Sequence, residues 1–189
     1  NGVSLTSGPD GKGLQLRISG DHSENPIQII SVRSEDLPRP LEFYNTWELE
    51  PGAKAQIVVC DHTLREYLYQ TVRFSNITLG EGAVLDLLFM QNEHGRSRYR
   101  LEVDAQLKKE ARLDCHILSL YGGTIQNKVT VHLQESGAVC NLDGLYLADG
   151  EQNVTYDIEV RHNSGECNSN QLFKGILDEQ AKARFDGII

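Results

Sequence analysis

The chain has 189 residues, with 18 Lys or Arg against 27 Asp or Glu and a formal net charge of −9. That acidity argues against nucleic-acid binding, which needs a basic face to displace counterions, and against adhesion to an anionic membrane. Charged residues make up 24% and hydrophobic residues 39%, a balance that fits one folded domain over 1–189 and not a disordered chain; no apolar run approaches the roughly 20 residues that cross a bilayer.

The chain opens on Asn1-Gly2 with no visible secretory leader and stops within a strand-like Ile188-Ile189. It therefore reads as a piece of a longer protein, truncated at its C-terminal end. Glu35 to Leu41 is interrupted by Pro38 and Pro40, which oppose a helix through the lost amide donor and the restricted preceding residue. Phe43, Tyr44 and Trp47 follow and read as a core cluster or cap. Alternation of period two then takes over, which sends successive side chains to opposite faces of a strand. Tyr99, Leu101, Val103 and Ala105 share one phase, and Arg98, Arg100, Glu102 and Asp104 the other. The same pattern recurs at Ala111-Leu113-Cys115-Ile117, at Val129-Val131-Leu133 and at Tyr156-Ile158-Val160.

A longer rhythm lies over these strands. Gly52-Ala53, Gly82-Ala83, Glu110-Ala111 and Gly137-Ala138 each precede an alternating run, with the alanines at intervals of 30, 28 and 27 residues. Repeats of about 20 to 50 residues indicate a solenoid or array. Glycine permits the bend and a small side chain lets stacked turns approach. Two-strand rungs stacked in one direction make a parallel β-helix; a β-sandwich is the competing all-β reading.

The four cysteines, Cys60, Cys115, Cys140 and Cys167, are too few for a disulfide scaffold and form no Cys-x-x-Cys. A reducing cytoplasm is the plain inference, so the sequons at Asn76 and Asn153 carry no weight. Cys115, Cys140 and Cys167 recur near the rung spacing and would offer soft ligands if they stacked in a column; against that, Cys115 and Cys140 fall in the apolar phase, where a thiol behaves as a small core group. His162 and Cys167 flank a turn at Asn163-Ser164-Gly165, so imidazole and thiolate are candidate ligands for iron or zinc. The competing reading is a turn whose Asn and Ser side chains bond backbone, and two ligands fall short of the four of a structural metal. His116 and His132 point outward. Asp61, His62 and Glu66 read as solvated groups at a strand end, and Glu93 to Arg98 as a solvated charged corner. No Gly-x-Ser-x-Gly elbow, Walker loop or Gly-x-Gly-x-x-Gly is present, so no catalytic residue and no nucleotide site is assigned.

The stretch from His162 to Gly187 is more specific. It holds Cys167-x-Ser169-x-Gln171-Leu172-Phe173-Lys174-Gly175-Ile176-Leu177 and then Phe185-x-Gly187. With Asn25-Pro26-Ile27, Glu50-Pro51-Gly52-Ala53 and Asn76-Ile77-Thr78-Leu79-Gly80-Glu81-Gly82-Ala83, it resembles the core of the SufB/SufD family of the SUF iron–sulfur cluster assembly system, on the SufD side. The resemblance implies a right-handed parallel β-helix and a non-enzymatic scaffold. It implies pairing with a SufB-like protein through further rungs and with a SufC-like ATPase through a terminal helical segment. ATP binding would then reshape the pair and expose a cluster site at its interface. The resemblance implies no intrinsic cofactor, only an iron–sulfur cluster held transiently at the SufB-like interface. The family's Cys-Ser-His-Gly segment does not occur here, so no residue inherits its histidine's role. An uncapped last rung would let the fragment self-associate.

Two other classes compete. A β-helix carbohydrate-active enzyme would use paired acids, with Asp143, Asp157 and Glu159 as the available set. A structural, polymer-forming β-helix would need no site.

Overall fold

The computed structural model describes residues 2–8, 11–35 and 39–189; Pro38 lies outside the described residues. Among these residues the chain is all strand and turn, in two sheets. One sheet contains, in spatial order, β1 (Val3–Ser7), β2 (Leu14–Ile18), β4 (Leu41–Leu49), β6 (Gln70–Leu79), β8 (Arg98–Leu107), β10 (Thr124–Leu133), β12 (Asn153–His162) and β14 (Lys182–Ile188). The other contains β3 (Asp21–Arg33), β5 (Lys54–Thr63), β7 (Val84–Asn92), β9 (Arg112–Tyr121), β11 (Val139–Ala148) and β13 (Asn168–Leu177). Apart from antiparallel β1 and β2, all neighbours pair in parallel. The chain passes from one sheet to the other and back, so each circuit adds one rung to a solenoid of about six turns. This sets aside the β-sandwich, whose sheets are antiparallel. Parallel strands joined by a crossover take the right-handed sense in nearly all folds.

Alternation fixes which face is inside. Tyr99, Leu101, Val103 and Ala105 are buried, as are Leu113, Cys115 and Ile117, Val129, Val131 and Leu133, and Tyr156, Ile158 and Val160. Like positions stack. Leu49, Leu79, Leu107 and Leu133 are register partners, and each is at most 1% exposed. Burying a leucine stabilises by about 2 kcal/mol, so this column is one spine of the core.

The corner leading from the first sheet into the second carries the sequence rhythm. Ala53, Ala83, Ala111 and Ala138 sit there with no exposed surface. Each corner runs up against the next: the Val84 amide donates to the Ala53 carbonyl at 2.8 Å, and Asn168 to Ala138 at 3.0 Å. Rungs stack about 4.8 Å apart, which leaves room for a methyl group and little more. The residue before each alanine is left-handed: Gly52, Gly82 and Gly137 have φ of 73°, 65° and 74°, and Glu110 (55°) and Glu166 (60°) occupy the same place. That conformation costs a side chain roughly 1 kcal/mol, which is why glycine fills most of these positions.

The three early aromatics do not form one cluster. Trp47 is fully buried and stacks on Phe89 at 6.3 Å, whereas Tyr44 lies on the outer face, stacked on Phe74 at 5.1 Å. Phe43 faces the Arg73 guanidinium, 4.4 Å from its ring centroid. Adjacent residues of a strand point to opposite faces, so Phe43 and Tyr44 have no common neighbour.

Candidate functional site

The distinctive motif occupies the last rung. His162 ends β12 and is the register partner of Leu133, so it stands where the leucine spine would continue. It is exposed, and its Nε2 lies 2.9 Å from Ser169 Oγ. Cys167 takes the fifth corner position, after the four alanines. Its half-buried thiol donates to the Glu135 carbonyl at 3.2 Å. Imidazole and thiol are thus each held by another partner. Among the described residues, no group of three His, Cys, Asp or Glu side chains converges as a metal site.

The Phe-Lys-Gly part of the motif has a packing cause. Phe173 is the register partner of Gly144, and Gly175 of Tyr146. A methyl group on Gly144 would meet the Phe173 ring at 2.1 Å, and one on Gly175 the Tyr146 ring at 1.9 Å. Each aromatic ring therefore lies across the glycine of the adjoining rung. Phe173 then packs on Tyr156 and Phe185, with ring centroids 5.0 and 4.7 Å apart.

The cysteines do not form a column. Cys115 is in register with Leu87 and Leu142, Cys140 with Leu113 and Ser169, and Cys167 lies in the corner. Rung lengths differ slightly, so a near-rung spacing in sequence drifts by two positions per rung. Burial pushes the Cys115 thiol up to about 12 and raises Cys140 as well. Both are neutral core groups without the thiolate character that metal binding requires.

Sequence reading missed a lane of buried polar groups opposite the alanine corner. Arg73 and Asp61 have side chains only 1% exposed. Arg73 donates to both Asp61 oxygens, at 2.6 and 3.2 Å, and to Ser31 Oγ at 3.1 Å; the Tyr99 hydroxyl also donates to Asp61. Burial of Tyr99 beside the Asp61 carboxylate raises its phenol above the ordinary range. Next to this group, Arg33 donates to Thr71 and Glu93, and Thr71 donates to Glu93 at 2.9 Å. Desolvation lowers Arg33 from its usual value. Further along, Gln91, Ser119, Asn127 and Tyr156 make a neutral chain of hydrogen bonds. Two expected solvated sites are thereby corrected: Asp61 is a buried ion-pair partner, and Glu93 is fully buried. The available signal was a single charged residue in phase with Thr71, Ser75 and Ile77.

Outer-face acids are dispersed. Asp157 pairs with Arg184 and Glu159 with Arg161 on the first sheet, while Asp143 lies outside the second, 3.3 Å from His116. Asp143 is thus on the opposite sheet from the other two, and the three do not converge on one sugar-binding point. His116 and His132 point outward as read, His116 between Asp86 and Asp143 and His132 beside Asp104.

These features define a parallel β-solenoid whose most specific segment is a rung-stacking motif. The family model described as SUF system FeS cluster assembly, SufBD core domain, matches residues 44–189, and the chain belongs to that family. It is also similar to the iron-sulfur cluster assembly protein SufD of Escherichia coli (strain K12), with 23% identity over 142 residues, 75% of this chain and 34% of that protein. The chain thus spans about a third of that relative's length. Among the described residues, no helix is long and apolar enough to cross a membrane.

Proposed function

We propose that the protein containing this chain is a non-enzymatic, cytoplasmic scaffold of SUF iron–sulfur cluster assembly, pairing with a SufB-like protein and engaging a SufC-like ATPase. The observation that carries this reading is the family match running from β4 through β14, which takes in every rung from Trp47 onward. The buried polar lane and the interlocked aromatic–glycine stack support it chemically, because both stiffen a column instead of presenting a reactive group. The cluster is cargo in this reading, formed transiently against the SufB-like partner. His162 and Cys167 are this chain's candidate iron contacts, and each would have to release its present hydrogen bond to serve. The test is co-expression of the full-length protein with SufB-like and SufC-like proteins, followed by co-purification and cluster reconstitution read by visible absorption. A ternary complex whose cluster yield falls when this protein is omitted is expected, with complex formation intact in Cys167→Ala. Absence of the complex, or a cluster yield indifferent to this protein, overturns the proposal.

A further inference from the structure

The two outer faces of the solenoid differ in chemistry. The first sheet carries Tyr44, Val72 and Phe74 outside on its early rungs and is polar outside from β8 onward, with rows such as Arg98-Arg100-Glu102-Asp104 on β8 and Asn153-Thr155-Asp157-Glu159-Arg161 on β12. The second sheet carries an apolar column along the solenoid axis. Ile30, Cys60, Met90, Leu118 and Leu145 are successive register partners on five rungs. Ile30 is 60% and Leu145 38% exposed, and the three between are half-buried. The column ends at Lys174, the next partner of Leu145. Val58 and Leu88 widen it on one side before His116 and Asp143 take over that column. Two adjoining surface grooves open beside its far half and share His116 and Leu118, one lined also by Val58 and Leu88 and the other by Leu145.

Shape and charge together select an occupant. Five rungs at about 4.8 Å make a stripe about 19 Å long, the length of about 13 helical residues. It is one to two columns wide, which suits the apolar stripe of an amphipathic helix and not a broad sheet. Asp143 stands in the column beside it and Asp86 one column further out; they are two rungs apart, about 10 Å along the axis, a rise that helix positions i and i+7 also cover. His116 lies between them, and among the described residues neither acid pairs with Lys or Arg. Of the nearby cations, Arg112 is engaged by Asp114 and Lys54 by Asp21, while Lys174 closes the far end of the stripe. An anionic membrane would be repelled by these acids.

We infer that the outer face of the second sheet is a docking groove for an amphipathic helix of a partner protein, its apolar stripe on the Ile30–Leu145 column and basic residues over Asp86 and Asp143. The inference stands on the groove and goes beyond the assembly reading. The probe is an 18-residue peptide with a leucine stripe and lysines at i and i+7 on one flank, titrated by fluorescence anisotropy against the full-length protein. Leu118→Asp should weaken it at least tenfold with circular dichroism and melting unchanged. A peptide with glutamates for lysines should bind at least tenfold more weakly, and Asp143→Lys should reverse that preference. Leu145→Lys is the second stripe variant should Leu118→Asp not fold. Photo-crosslinking from position 118 in the full-length protein should reach a helix of another protein. Equal binding of the two peptides, indifference to both stripe variants, or crosslinks only to a second copy or to a helix of the same chain each overturn the inference. Loss of peptide binding with the SufB-like and SufC-like complex intact removes the groove alone; loss of that complex bears on the assembly reading.

Discussion

Replacing Arg73 by methionine leaves the Asp61 carboxylate, 1% exposed, without its ion-pair partner. Breaking one side of a buried pair costs about 3 to 5 kcal/mol, because the remaining charge keeps its desolvation penalty. The ring contact between Arg73 and Phe43 adds about 1 kcal/mol. Against a domain stability of about 5 to 15 kcal/mol, that is a large share. With a urea slope of about 2 kcal/mol per M, a loss of about 4 kcal/mol lowers the denaturation midpoint by about 2 M. Adding Asp61→Leu removes the stranded charge, so the double variant should recover about half of the loss. Recovery stays partial because the Tyr99 hydroxyl and Ser31 also lose their partners, at about 1 to 3 kcal/mol for an unpaired buried group. Urea melts followed by circular dichroism complete the cycle. A midpoint shift below about 0.5 M for Arg73→Met, from the same two constants, would refute the reasoning, as would a double variant less stable than the single.

Gly175→Ala places a methyl group 1.9 Å from the Tyr146 ring; overpacking of this kind costs about 1 to 3 kcal/mol, and a Tyr146→Ala background should relieve most of it in thermal melts. Stability should also fall in alkali. Unfolded thiols ionise near 9.0, while folded Cys115 is held up to about 12 and Cys140 is raised likewise. Above pH 9 the unfolded chain therefore sheds protons that the folded chain retains, and folding free energy declines by up to about 1.4 kcal/mol per pH unit for each thiol. Well below pH 9, where the unfolded thiols also stay protonated, these two groups contribute no slope. Urea melts between pH 8 and 10 should show the decline, and Cys115→Ala with Cys140→Ala should flatten it; an unchanged slope would show that thiol burial is not its source.

How far the fold was legible depends on which residues carry it. Where apolar and charged residues alternate cleanly, as in Tyr99 to Ala105, period two alone assigns the inner face. The Gly-Ala corners announce the rung length, since only a left-handed residue followed by a small one lets a turn close against its neighbour. β6 defeats the same reading. Val72 and Phe74 face outward and Arg73 and Ser75 inward, because Ile77 and Leu79 are locked to Trp47 and Leu49 by register and the rest of the strand must follow. The partners of Arg73 come from β3, β5 and β8, 12 to 42 residues away, and no local pattern announces them.

The cysteines show the same division. Their spacing suggested a column, but a drift of two residues per rung separates them, and such offsets are fixed only when the strands pair. The sequence by itself determined a repetitive β architecture and its likeness to one scaffold family, because rung length, corner chemistry and face alternation are local properties. Only the tertiary structure decided which polar groups lie inside, which apolar residues align along the outer face, and which side chains meet. Those depend on register between strands about 30 residues apart in the chain, and register comes from the packing of the whole column.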